Sequence, residues 1–131
     1  MDNRLQGLAK YRLEKAKGDL DSSELMLKNK QFNQSLNRSY YAIFHATRAL
    51  LSFDKFDSKK HSGIISYFNQ NYVKTGLIDA KYGKILMSAE KIRIYSDYDD
   101  FYVADKKLAR AQLEDAKKFL IVIEKFIDKQ F

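Results

Sequence analysis

The chain has 131 residues, enough for one domain and too few for two of ordinary size. It is 45% hydrophobic and 31% charged, with no Cys and no Pro, which excludes a disulfide framework, thiolate metal sites, cysteine nucleophiles and a disordered chain. A net charge of +7 favours an anionic partner such as nucleic acid, although 18 of the 24 basic residues are Lys scattered along the chain, a pattern shared by solvated surfaces.

The apolar periodicity is helical nearly throughout. Leu13, Ala16, Leu20, Ser23 and Leu27 recur at steps of three or four, and Leu5 and Ala9 extend the stripe, which predicts a first helix over about 4–29. Gly18 is a soft spot in it, costing about 1 kcal/mol relative to Ala. Asn29-Lys30-Gln31 reads as a turn. A second helix over about 33–53 carries Leu36, Tyr40, Phe44, Thr47 and Leu51 on one face. Its Ala42, Ala46 and Ala49 make a small-residue side that another helix can approach closely.

A polar break over 54–58 follows, with Asp57 or Ser58 placed to cap a third helix over about 59–72 that turns Ile64, Ile65, Phe68 and Tyr72 inward. Lys74-Thr75-Gly76 stops it. A fourth helix over about 78–95 runs through Tyr82, Ile85, Leu86, Ala89 and Ile92, and 96–100 reads as a loop. The last helix starts near Val103 and carries Leu108, Ala109, Ala116, Leu120, Ile123 and Ile127 on one side. Its Ile121, Val122 and Phe126 widen the apolar arc, as a thickly buried helix or a partner surface does. No run alternates long enough for a sheet, and there is no internal repeat. These elements predict an all-α fold, an antiparallel up-and-down helical bundle of about five helices, with residues 1–131 as a single domain. The longest apolar run, Phe119 to Ile123, is too short to cross a bilayer, and Met1-Asp2-Asn3-Arg4 opens no apolar signal segment. A cytoplasmic protein without a membrane partner is expected.

The polar residues of the second helix are not scattered. Arg38, Tyr41, His45, Arg48 and Ser52 step by three or four along one stripe. Arg38 and His45 stand two turns apart on the same face, about 10.5 Å of rise, so both side chains can converge on one phosphate and its sugar. That pairing suits RNA cleavage without a metal. A neutral imidazole can take the proton of a ribose 2′-OH, and a guanidinium can clamp the phosphate as charge builds on it. A second acid must protonate the departing 5′ oxygen, and a two-fold dimer would bring a second His45 and Arg38 across the interface. A solvated Arg and His on a helix surface give the same spacing.

The stretch from Asn37 to Leu51, NRSYYAIFHATRALL, closely resembles the signature helix of HEPN domains, and in particular of small stand-alone prokaryotic proteins of that superfamily. Lys60-His61-Ser62-Gly63 falls where such proteins begin their third helix, and Arg93 with Ser96-Asp97-Tyr98 resembles the segment before their last helix. The resemblance implies a helical bundle that dimerises through the second helix. It also implies, for active members, a metal-independent endoribonuclease, often the toxin half of a toxin–antitoxin pair. The family's Arg-x(4–6)-His motif maps to Arg38 and His45 as catalytic residues, with Ser39, Tyr41 and Arg48 beside them as nucleic-acid contacts. A minimal nucleotidyltransferase is often the antitoxin. In some pairs it adenylylates a Tyr two positions after the motif His, where this chain has Thr47. Other members are non-catalytic partners that help a nucleotidyltransferase bind substrate, and an inactive helical scaffold is a third reading.

Other residues read more plainly. His61 reads as a capping or packing residue, with anion binding as the alternative. Asp97, Asp99, Asp100 and Asp105 lack the spacing of a calcium loop and read as helix caps. Two His sixteen residues apart make no zinc spacing, and Gly63, Gly76 and Gly83 are isolated, so no metal and no cofactor is expected. Among nine Tyr, Tyr41 is the best candidate to stack on a base because it shares the Arg38/His45 stripe.

Overall fold

Small residues decide how the first two helices meet. In the computed structural model, which describes residues 3–98 and 103–131, α1 (Asn3–Lys28) turns back through Lys30 into α2 (Phe32–Ser52). Lys30 adopts φ 61°, the left-handed conformation that closes a helix C-terminus, and the amide of Gln31 donates to the carbonyl of Met26 at 2.8 Å. Ala9, Ala16 and Ser23, seven residues apart, are buried on α1, and Ser35, Ser39, Ala42, Ala46 and Ala49 are buried on α2. Side chains this short let two helices approach closely. Ser23 meets Ser35 and Ser39, whereas Arg12 meets Arg48 and Ser52, so the pair is antiparallel. The stripe expected on α1 is therefore narrower and more polar than its leucines suggest. Leu5, Leu13, Leu20 and Leu27 are only half-buried, while Arg12 is buried.

The remaining elements are α3 (His61–Phe68), a π-helical turn (Asn69–Val73), α4 (Ala80–Tyr98) and α5 (Lys106–Gln130). Among the described residues there is no strand, and no helix is long and apolar enough to cross a membrane. The fold is an all-α helical bundle. Tyr40, Ile43, Leu50 and Leu51 of α2, Ile64 and Phe68 of α3, Leu86 of α4, and Phe119 and Ile123 of α5 fill one core. Lys17 pairs with Glu124 and Glu24 with Lys117, which sets α5 antiparallel to α1.

Four boundaries differ from the sequence reading. Neither Asp57 nor Ser58 caps α3, because its N-cap is Lys60 and Asp57 is taken up by two arginines. The third helix does not run on to Tyr72 as an α-helix. It widens into the π turn, where the amide of Lys74 donates to the carbonyl of Asn69 at 2.8 Å. Gly83 of α4 is buried against that turn, and a Cβ there would stand 2.7 Å from Asn69 Oδ1 and 3.2 Å from Val73. The widened turn thus faces a helix with no side chain at the point of contact. Finally, Ser96, Asp97 and Tyr98 are helical rather than loop. Arg93 bridges back to Glu90 and forward to Asp97, pairs that hold a last turn together. Asp99, Asp100 and Tyr102 lie outside the described residues. Asp105 caps α5 as read, accepting from the amide of Leu108 at 2.8 Å, so the helix begins at Lys106 and not at Val103. The apolar surplus of α5 divides: Ile121 is exposed, whereas Val122 and Phe126 pack against the core.

Candidate functional site

α2 is enclosed on nearly every side. From Ser35 to Ser52 its residues are buried except Asn37, Arg38, Tyr41, His45 and Arg48, which are half-buried. The strip that reaches solvent is therefore the stripe read from the sequence with Asn37 added and without Ser52, which is buried and accepts from Arg12 at 2.9 Å.

Asp19, on α1, organises the upper part of this strip. Arg38 Nη1 donates to Asp19 Oδ1 at 3.1 Å, and Arg38 Nε and Nη2 donate to Asn37 Oδ1 at 3.1 and 2.7 Å. The same guanidinium lies 5.0 Å from the centroid of the Tyr41 ring, a cation–π contact. The side chain remains 35% exposed. His45 is 16% exposed, with Nε2 3.7 Å from Asp19 Oδ2, too far for a hydrogen bond. Its Nδ1 is buried without a partner. Burial, and then repulsion from Lys15, Arg48, Arg38 and Arg12, pushes the imidazole down to about 4, so it is neutral at pH 7. The contact with Asp19 is thus not an ion pair. Burial raises Asp19 itself above the usual carboxylate range, against the pull of Arg38 and Lys15.

Two further arginines hold the lower part. Arg48 forks onto Asp57, with Nε and Nη2 donating at 3.2 and 2.7 Å. Arg12, only 10% exposed, donates to the carbonyl of Arg48 at 3.1 Å and to Asp57 at 3.3 Å. Two guanidinium groups share one carboxylate, and desolvation followed by repulsion from Arg48 lowers the pKa of Arg12. Four cations therefore surround His45 against two carboxylates, Asp19 and Asp57. That imbalance is one an incoming anion relieves.

The sequence-read residues separate accordingly. Arg38, Tyr41 and His45 come together, with the Tyr41 and His45 rings 5.9 Å apart, and Arg48 stands one turn further on, engaged by Asp57. Ser39 does not join them. It is fully buried and shares a 2.7 Å hydrogen bond with Ser23, so it faces α1 and cannot touch nucleic acid. Thr47 is also fully buried, its hydroxyl donating to the carbonyl of Ile43, so this side chain is closed to a modifying enzyme.

His61 is a packing residue and not a cap, and it is half-buried. It stacks on Phe44 with centroids 4.2 Å apart, and its Nδ1 lies 2.8 Å from the Tyr40 hydroxyl. It lines an open groove of about 590 Å³ with Phe44, Arg48, Asp57, Ser58 and Lys59. Sequence reading missed Asp19, Arg12 and the Tyr40–His61–Glu90–Arg93 cluster. Only Arg12 gave a signal, standing in step with Ala9 and Ala16 on the buried stripe.

The model of a family described as HEPN domain matches residues 9–126. A UPF0332 protein of Thermotoga maritima is 32% identical over 96% of both chains. Two proteins of Methanocaldococcus jannaschii are also similar. One, named "Putative toxin MJ0605", is 32% identical over 89% of this chain and 81% of its own length; the other, "Putative toxin MJ0142", is 29% identical over 88% and 78%.

Proposed function

The chain belongs to the HEPN family, and from that premise we propose that it is a metal-independent endoribonuclease, the toxin half of a toxin–antitoxin pair. The observation that carries this reading is the half-buried polar strip of α2. An otherwise enclosed helix keeps Arg38, Tyr41, His45 and Arg48 at the surface, with a neutral imidazole at the centre of excess positive charge. Two relatives with toxin in their names support the toxin role.

In this mechanism the neutral His45 accepts the proton of a ribose 2′-OH, and the oxygen attacks the adjacent phosphorus. Arg38 leaves Asp19 for the phosphate, a stronger bidentate partner, and offsets charge in the transition state. Tyr41 presents its ring to the neighbouring base. A second copy of the chain, related by a two-fold axis through α2, closes the strip into a cleft that holds the polynucleotide. A cytoplasmic location suits an RNA substrate, and a cognate nucleotidyltransferase is the antitoxin this reading expects.

The test is RNA cleavage by purified protein in EDTA, with a 2′,3′-cyclic phosphate and a 5′-OH as the new ends. His45→Ala and Arg38→Ala each reduce the rate by about 10²–10⁴-fold while the helical circular dichroism is kept. Equal cutting by wild type and His45→Ala rejects the reading. One observation favours a second one. Arg38 is already paired to Asp19 and His45 is mostly covered, the pattern expected of a helical scaffold that has lost activity. That role gives neither cleavage nor nucleotide binding, whereas a non-catalytic partner of a minimal nucleotidyltransferase gives no cleavage, co-purification with the transferase and a change in its nucleotide affinity.

A further inference from the structure

A metal-free cleavage of this kind needs a proton donor at the departing 5′ oxygen as well as a base at the 2′-OH. A symmetry-related His45 answers this poorly. Burial and four cations of its own chain hold that ring at about 4, against carrying a proton near neutral pH.

The structure offers another imidazole in the same chain. The Tyr41 ring is the meeting point: Arg38 lies 5.0 Å from its centroid, His45 5.9 Å and His61 5.9 Å. Phe44 touches both imidazoles, at 6.0 Å for His45 and 4.2 Å for His61. The two histidines thus flank one aromatic pair, although they come from different helices. Resting on the nuclease reading, we propose that His61 is the second acid–base group of this site and hands a proton to the departing 5′ oxygen.

Its surroundings suit that work. The ring is fixed by Phe44 on one face and by the edge of Tyr41, and Nδ1 is held by Tyr40, which is fully buried. The Tyr40 phenol is drawn to Glu90, whose carboxylate Arg93 holds at 3.2 Å. In the tautomer this role requires, the phenol donates to Glu90, Nδ1–H donates to the phenol oxygen, and Nε2 takes up and gives back a proton. Its side chain is 30% exposed and opens on the groove that also holds Arg48 and Lys59, two cations able to seat the chain of phosphates. The groups facing His61 are Tyr40, Tyr41 and Arg48 of α2, Glu90 and Arg93 of α4, and Asp57 and Lys59 of the preceding loop. Burial and Arg93 lower its pKa, while Glu90 opposes them. Asp19 stands 3.7 Å from His45 Nε2, but there burial and four cations prevail and hold the ring at about 4. Of the two rings, His61 is therefore the one that keeps its proton to higher pH, which assigns it as acid and His45 as base.

The step balances within the site. The 2′-OH proton passes to His45 as the O2′–P bond forms. The P–O5′ bond breaks and O5′ takes the proton from His61 Nε2. Water then carries a proton from His45 back to His61. The rate passes through an optimum below about pH 6.5, falling on the alkaline side as His61 loses its proton.

The experiment compares ordinary RNA with the same RNA carrying sulfur in place of the bridging 5′ oxygen, since a departing thiolate needs no acid. The expected result is that His61→Asn, which keeps a group for Tyr40, and His61→Gln, which keeps the reach, each cut ordinary RNA about 10²-fold more slowly. Both return to within about tenfold of wild type on the sulfur-bridged RNA and lose the alkaline limb of the pH profile. His45→Ala stays impaired on both substrates. Two results overturn the assignment: His61 variants as fast as wild type on ordinary RNA, or variants equally slow on both substrates, as a merely structural ring gives. Wild-type protein that cuts neither substrate refutes the nuclease reading itself.

Discussion

The two ends of the α1–α2 seam are held by opposite chemistry. At one end Ser23, Ser35 and Ser39 are fully buried and satisfy one another: Ser23 Oγ lies 2.9 Å from Ser35 Oγ and 2.7 Å from Ser39 Oγ, and Ser35 Oγ donates to the carbonyl of Ser23. At the other, Arg12 and Arg48 crowd onto Asp57. The hydroxyl end is neutral and closed, and nothing in it asks for a ligand. The guanidinium end holds more cation than carboxylate and opens on a groove. Between them lies the Arg38–Asp19–His45 group. A seam needs buried hydrogen bonds along its length to set its register, but only one end of this seam keeps charge in reserve.

The comparison breaks most visibly at Arg12. Arg12→Met removes three donors' worth of bonding from Ser52, the Arg48 carbonyl and Asp57, and is expected to cost about 3 kcal/mol in urea unfolding, as losing one member of a buried charged network does. A cost below about 1 kcal/mol would show instead that repulsion from Arg48 cancels what the bonds contribute. The serine end responds less. Ser23→Ala leaves Ser35 and Ser39 short of a partner and costs about 1–2 kcal/mol, while Ser39→Ala costs about 1 kcal/mol and leaves RNA cleavage unchanged. A Ser39→Ala variant with normal stability but lost cleavage would return that residue to the site.

The smallest effect is in the pH dependence. His45 is pushed down to about 4, so the unfolded chain binds more protons between about pH 6.5 and 4, and stability falls as pH falls through that window. His61 acts in the same direction. Asp57, held below the usual range after Arg48 and Ser58 overcome its burial, adds stability that is lost at still lower pH, while Asp19, raised, acts in the opposite sense. His45→Gln is therefore expected to remove roughly half of the fall in Tm between pH 7 and pH 5. An unchanged slope would place the acid sensitivity elsewhere.

The helices were legible because their apolar residues keep a period near 3.6 and the breaks between them are polar. The π turn was not, since Phe68 and Tyr72 fit an ordinary helical step equally well, and the glycine opposite lies on another helix, at Gly83. Ser96 to Tyr98 looked like loop from composition, but Arg93 reaches both Glu90 and Asp97 and carries the helix through. Of the candidate site, the strip was readable from α2 alone. Asp19 was not, because a contact between residues nineteen positions apart leaves no periodic trace. Ser39 misled for the reverse reason. It adjoins Arg38 in sequence, yet successive helical residues point about 100° apart, which turns it from the solvent to α1.

The enclosure of α2 has one more consequence. With its other sides committed to neighbours, the helix from Ser35 onward has a very small alphabet in which to write recognition: Asn37, Arg38, Tyr41, His45 and Arg48. Divergence in what such a molecule acts upon must therefore be spelled mainly by the surrounding elements, α1, the loop before α3 and α4, while the central rod stays nearly mute.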